Sequence, residues 1–325
     1  MTDLNRRTIL AGAATSALAA AISPQTVQAF APQVGKAAPS FYRVKHGDFE
    51  LTQIADGANT FPMPDKFVTN ATKDEGLAAA AAAHMPTGKI TVPFNPMVVN
   101  TGSKLVLIDT GNGPGGAPNS GMLQANLAAA GIDPKTIDIV VLSHMHPDHI
   151  NGLSNADGTP AFPNAEIKVP AVEWAFWTSA DNAAKAVSPM MKNYFAGINK
   201  TMAPFAKTIT QYDWGKDVAP GILAIDTSGH TPGHTSFVVA SGSAKMLVQS
   251  DVTNIPEFFL RNPEWQVMFD VDPAKAIITR RKFYDMAVAD NMLISGYHFA
   301  FPSMGYVEKD GTGYRLLPVR WSPVL

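Results

Sequence analysis

The chain has 325 residues, 46% hydrophobic and 16% charged, with 25 basic against 27 acidic side chains and a formal net charge of −2. That length supports one large domain or two modest ones, each able to bury a core. The balanced charge argues against a nucleic-acid or anionic-membrane partner, and the absence of cysteine excludes disulfides, thiolate metal ligands and a cysteine nucleophile.

Residues 1–29 read as an export address. Arg6 and Arg7 precede a weakly apolar, alanine-rich run, and Val27-Gln28-Ala29 offers a small-residue cleavage pattern. The paired arginines resemble a twin-arginine signal, which implies a periplasmic or secreted mature protein and the twin-arginine machinery as an export partner. The uncharged run falls short of the roughly 20 residues a membrane span needs. Residues 30–40 are Pro- and Ala-rich, as a flexible leader would be, and 41–325 is expected to be the folded domain.

Residues 42–56 alternate apolar and polar side chains, as a hairpin does, with His46-Gly47-Asp48 at its turn. The alanine run in 77–84 predicts a surface helix with His84 at its end. Strands are expected at 96–100 and 104–109. The loop Gly111-Asn-Gly113-Pro-Gly115-Gly116 matches G-x-G-x-x-G, but Pro114 and Pro118 break the helix that a pyrophosphate site requires. Then follow a helix at 120–130, strands at 137–142 and 166–170, and helices at 171–185 and 188–207. Further strands are expected at 222–226, 235–240, 246–249, 292–295 and 314–319. Between them lies a helix at 273–290 with Pro at its start. Interleaved strands and helices without a dividing linker predict a single α/β domain.

The chemistry concentrates in Val140-Val-Leu-Ser143-His144-Met-His146-Pro-Asp148-His149. An apolar strand here delivers four metal-capable side chains. His144 and His146 are two apart, so an extended backbone points them the same way. Pro147 then turns the chain, and Asp148 and His149 face elsewhere, so the loop can serve two ions. Imidazole and carboxylate donors suit zinc and iron. Three later segments add donors at strand ends: Gly229-His230-Thr-Pro-Gly233-His234, Asp251 after 246–250, and His298 after 292–297.

The run His-x-His-x-Asp-His, then Thr-Pro-Gly-His, an Asp after a strand and a final His, resembles the metallo-β-lactamase-fold hydrolases. Ala161-Phe-Pro-Asn-Ala and Phe301-Pro-Ser-Met-Gly add a similarity to the methyl parathion hydrolase and lactonase-like group. The resemblance covers the chain from about Phe41 onward and implies a four-layer αββα sandwich. It implies a first metal ion on His144, His146 and His234, and a second on Asp148, His149 and His298, with Asp251 bridging. The two divalent ions are expected to be zinc, with manganese, iron or cobalt as alternatives.

Around these residues, His230 reads as an orienting partner of a ligand rather than a ligand itself. Asp109 reads equally as an orienting residue or as plain turn chemistry. Trp177 and Phe195 resemble an aromatic wall of the substrate pocket, with core packing as the alternative. Phe258, Phe259, Trp265 and Phe269 suggest a lid or a dimer contact, homodimers being common in the group.

The activity implied is hydrolysis by a metal-bridging hydroxide, with Asp148 and Asp251 as the catalytic carboxylates. No Gly-x-Ser-x-Gly elbow competes with it. The expected substrate is a small, uncharged ester, lactone or phosphotriester. Two alternatives stay open: an iron-dependent oxidoreductase of the same fold, and a non-catalytic metal-binding protein.

Overall fold

The computed structural model describes residues 33, 35, 37–86 and 88–325. The export-like segment 1–29 and much of the leader 30–40 lie outside the described residues. Among those described, no helix is long and apolar enough to cross a membrane.

The chain opens with a hairpin, β1 (Phe41–His46) and β2 (Phe49–Ile54), turning at Gly47 in the left-handed region. A two-stranded ribbon follows, β3 (Gly57–Pro62) and β4 (Lys89–Phe94), with α1 (Lys73–Ala82) between its strands. Next come β5 (Met97–Asn100), β6 (Leu105–Ile108), α2 (Leu123–Ala129), β7 (Ile139–Val141), the single turn α3 (Pro147–Ile150) and β8 (Glu166–Pro170). Three helices, α4 (Ala171–Trp177), α5 (Ala180–Lys185) and α6 (Pro189–Met202), precede β9 (Thr210–Tyr212). The second half holds β10 (Asp217–Ala219), β11 (Ile222–Asp226), β12 (Thr235–Ser241), β13 (Ala244–Val248), α7 (Pro256–Phe259) and α8 (Pro273–Ala289). It ends with β14 (Leu293–Ser295), β15 (Met304–Asp310) and β16 (Gly313–Pro318).

Two seven-stranded sheets result, in the orders β1-β2-β5-β6-β7-β8-β9 and β10-β11-β12-β13-β14-β15-β16. The central strands are continuous apolar runs because both of their faces are covered. Val99, Val106, Ile108 and Val141 meet Ile222, Phe237, Val239 and Met246 of the other sheet. The alternate residues Val98, Leu107 and Val140 pack outward against Leu127 of α2 and Phe195 and Ile198 of α6. The second sheet turns Leu247, Ile294 and Val307 to Phe283, Tyr284 and Ala287 of α8. Helix, sheet, sheet, helix is the expected four-layer αββα sandwich, and residues 39–325 form it as one compact unit.

Two expectations are corrected. Residues 171–185 are two helices, because the Ser179 hydroxyl accepts from Asn182 N and starts α5 afresh. Phe258 and Phe259 are fully buried rather than a free lid, since their rings close on Phe67 at 5.8 and 5.9 Å beneath the ribbon. The glycine loop, for its part, encloses a carboxylate. Asp56 accepts from Asn112 N, Gly121 N and Leu123 N, which also caps α2. At Gly111 (φ 77°) a Cβ would lie 2.5 Å from the Asp56 carboxyl carbon.

Candidate metal centre

All the sequence-predicted donors meet at one edge of the sandwich. The parallel pairs β6–β7 and β13–β14 end there, so Asp109, the loop 143–149, Asp251 and His298 all leave strand C-termini together. His234 enters β12 at the same edge, where Thr235 N donates to Ser143 O and joins the two sheets. His146 is extended (φ −63°, ψ 150°) and Pro147 begins α3, which separates the His144/His146 pair from Asp148 and His149.

Three sets of ligand atoms lie within 4.8 Å of one another: His144, His146 and His230; His144, His234 and Asp251; and Asp148, His149 and His298. Asp251 joins the sets, with Oδ2 2.9 Å from His298 Nε2 and Oδ1 3.3 Å from His149 Nε2. Asp148 Oδ2 stands 3.7 and 3.6 Å from His149 and His298 Nε2, and its side chain is the most exposed of the three, at 25%. Four of the donor atoms, Nε2 of His144, His146 and His149 and Oδ1 of Asp251, are buried without a hydrogen-bond partner. Orphaned nitrogen and carboxylate donors converging in this way fit divalent cations, which satisfy them all at once.

The electrostatics agree. Burial, reinforced by neighbouring imidazoles, pushes His144 and His146 well below 6.5 and brings His234 down to about 3. These rings are neutral and ready to ligate. Burial would also raise Asp251, but His298 and His149 beside it hold the carboxyl well below its usual range. Burial opposes protonation of His149 and His298 too, yet the adjacent Asp251, with Asp109 for His149 and Asp148 for both, raises each of them.

Around the ligands, the outer ring nitrogens are held. Asp109 sits at φ 61°, accepts from Ser143 N and Oγ at 2.8 Å, and takes His149 Nδ1–H at 2.9 Å. That aims His149 Nε2 at Asp251, so the orienting reading of Asp109 is the one this geometry favours. His234 Nδ1–H donates to Thr227 O and His298 Nδ1–H to Pro93 O. His230 Nδ1–H donates to Asp270 Oδ1, while its Nε2 lies 2.9 Å from His146 Nδ1.

Trp177 and Phe195 are corrected: they do not line the cavity. They are 0% and 4% exposed in the core under the first sheet, because α4 and α6 turn those positions inward. Tyr194, one position earlier and roughly 100° round the helix, faces the cavity, its ring 4.7 Å from that of His146. The cavity, of about 200 Å³, has Phe61, Phe94, Tyr194 and Phe269 as its aromatic wall and Asp148, Asp251 and His298 at its base.

Sequence reasoning also missed Glu173. Fully buried, it accepts from Met145 N (3.1 Å) and Trp177 Nε1 (2.7 Å) through Oε2, and from Gly233 N (2.7 Å) through Oε1. It thereby ties the His144–His146 loop to the His234 loop. A single acid on an otherwise apolar helix does not reveal from sequence which distant N–H groups it will accept.

A family model described as the metallo-beta-lactamase superfamily matches residues 93–298. An N-acyl homoserine lactonase of Bacillus sp. is 29% identical over 158 residues, 48% of this chain and 54% of that protein, so the match spans only about half of that relative. The N-acyl homoserine lactonase of Bacillus thuringiensis is 23% identical over 234 residues, 66% of this chain and 84% of the relative. Among solved structures, the hydrolase AbOPH in the beta lactamase superfamily superposes with a TM-score of 0.82 at 29% identity, covering 88% of this chain and 100% of the other. AidC, a dizinc quorum-quenching lactonase in complex with a homoserine product, does so with a TM-score of 0.82 at 25% identity, covering 87% and 98%. With the sandwich, the ligand-bearing strand ends and a family match over more than half its length, this chain belongs to the metallo-beta-lactamase superfamily.

Proposed function

We propose that this protein is a metal-dependent hydrolase that opens a lactone or a related carboxylic ester. The observation that carries the reading is the set of unpaired, buried imidazole and carboxylate atoms at the base of an aromatic cavity. His144, His146, His234 and Asp251 would hold one divalent ion, and Asp148, His149, His298 and Asp251 the other. Zinc is the proposed metal, in line with the dizinc lactonase AidC. Such ions supply Lewis acidity and bring the pKa of bound water down toward roughly 7.

The chain's own residues do the rest. Asp251, ionised between His149 and His298, bridges the two donor sets. Asp148 is the more exposed of the two carboxylates at the cavity base, placed to take a proton and hand it to the leaving alkoxide. Burial, with Asp148 and Asp251 nearby, raises the Tyr194 phenol far above neutrality, so it stays a hydrogen-bond donor toward a substrate oxygen. Phe61, Phe94 and Phe269 exclude water and favour an uncharged substrate.

The test is turnover by zinc-replete protein on N-hexanoyl homoserine lactone and, in parallel, methyl parathion. We expect lactone opening with kcat/KM above about 10⁴ M⁻¹s⁻¹, abolished by chelator and reduced at least roughly a hundredfold in His146→Ala. Turnover of the phosphotriester alone would move the substrate class from carbon to phosphorus. Oxygen consumption by iron-loaded protein without hydrolysis would replace the reading with an oxidoreductase.

A further inference from the structure

Asp148, His149 and His298 make up one donor set, and two buried residues outside it hold all three. Asn95, between β4 and β5, is 3% exposed, and Tyr297, beside His298, is 4% exposed. Asn95 Nδ2 donates to Tyr297 O at 2.9 Å and to Phe299 O at 2.8 Å, the carbonyls on either side of His298. A side-chain amide carries two N–H hydrogens, so this one residue satisfies both carbonyls. Pro93 O, two positions earlier, accepts His298 Nδ1–H, and Gln53 Nε2 donates to Asn95 O and Pro96 O, which fixes the segment itself. Tyr297 reaches the other two members of the set. Its ring stacks on the His149 imidazole, with centroids 3.9 Å and planes 29° apart, and its hydroxyl donates to Asp148 O at 2.6 Å. Among the described residues, neither side chain hydrogen-bonds to or stacks on His144, His146 or His234.

We propose that Asn95 and Tyr297 are positioning residues for one cation only, the ion held by Asp148, His149 and His298. Asn95 clasps the backbone around His298, and through Tyr297 O it also seats the ring and hydroxyl that fix His149 and Asp148. Three ligands from two distant loops are thereby set in place before an ion arrives. Ligand atoms left free to move lose that freedom on binding, which weakens the site. The bond to Asp148 O also fixes the backbone that carries the proton-accepting carboxylate. This rests on the two-ion reading of the proposed function and assigns half of its preorganisation to residues that never touch the metal.

The experiment titrates metal-free protein with zinc against a chromophoric chelator and reads two dissociation constants. His149→Ala marks which constant belongs to the set of Asp148, His149 and His298. In Asn95→Leu and in Tyr297→Leu that constant is expected to rise roughly 10–100-fold, while the other stays within about threefold. Tyr297→Phe keeps the ring on His149 and loses only the bond to Asp148 O, so its rise should be smaller, about three- to tenfold. An equal rise in both constants would make the two residues general supports of the fold and overturn the proposal. So would an unchanged marked constant in both leucine variants. If those variants do not fold, Tyr297→Phe decides: a selective rise supports the positioning role, and unchanged constants overturn it. Wild-type protein that binds fewer than two zinc ions overturns the two-ion reading itself, whatever the variants do.

Discussion

Glu173 accepts from Met145 N, Trp177 Nε1 and Gly233 N, and all three partners are donors. Only a carboxylate with both oxygens accepting satisfies them, although burial raises its pKa. Glu173→Gln turns an N–H toward another N–H, and we expect it to cost on the order of 3 kcal/mol in chemical denaturation. Because the two tethered loops carry His144, His146 and His234, zinc affinity should fall roughly 10–100-fold as well. Trp177→Phe removes a single bond and serves as the comparison, with a loss of about 1 kcal/mol. Equal losses of stability and of zinc affinity in the two variants would show that Glu173 acts only through Trp177. Residues of this kind leave no trace in sequence. His144 and His146 are legible because a two-residue spacing on extended chain determines direction locally. Glu173 and Tyr194 acquire their roles from partners tens of residues away.

At the level of elements, α8 does more than cover the second sheet. Arg280, 1% exposed, donates to Val252 O, Pro263 O and Trp265 O and lies 3.7 Å from Asp270 Oδ2. It therefore pins the segment between the Asp251 loop and α8, including the Asp270 that receives His230. Arg280→Met should destabilise the fold by about 3–5 kcal/mol, since it leaves three carbonyls and a buried carboxylate without their partner. Arg280→Lys should recover little, because one ammonium cannot span a fork of three acceptors. Urea denaturation of both variants decides it: full rescue by lysine would reduce the role of Arg280 to charge alone. The central strands were readable because their apolar runs are short and bounded by turn residues. The β3–β4 ribbon was not, because α1 separates its halves and only tertiary pairing joins 57–62 to 89–94. Strand β15, paired on both sides, escaped for another reason: its half-buried Glu308 and exposed Lys309 and Asp310 mask the apolar pattern.

For the whole molecule, the donor cluster couples metal, protons and stability. His149 and His298 are raised above their ordinary value in the metal-free fold, so they hold their protons to higher pH than a free imidazole and a cation must displace them. Zinc affinity should therefore rise with pH until both raised pKa values are passed, and binding below them should release protons. Calorimetry in two buffers of different ionisation heat measures that release, and a buffer-independent heat would contradict it. Zinc at a hundred times its dissociation constant should add about 2.7 kcal/mol to stability, and chelation should remove it reversibly. The effect should be visible as a lower thermal midpoint, because the unpaired atoms of His144, His146, His149 and Asp251 are left in the core.

The sequence by itself determined the fold class, the seven donors and their strand-end placement. Strand periodicity and ligand spacing are short-range properties, written in neighbouring residues. Which side of α6 faces the cavity and which carboxylate ties the ligand loops together were decided only when the two sheets closed on each other. Those roles depend on contacts such as Met145 to Glu173 or Thr235 to Ser143, where the chain meets itself far from its neighbours and no local pattern records the meeting.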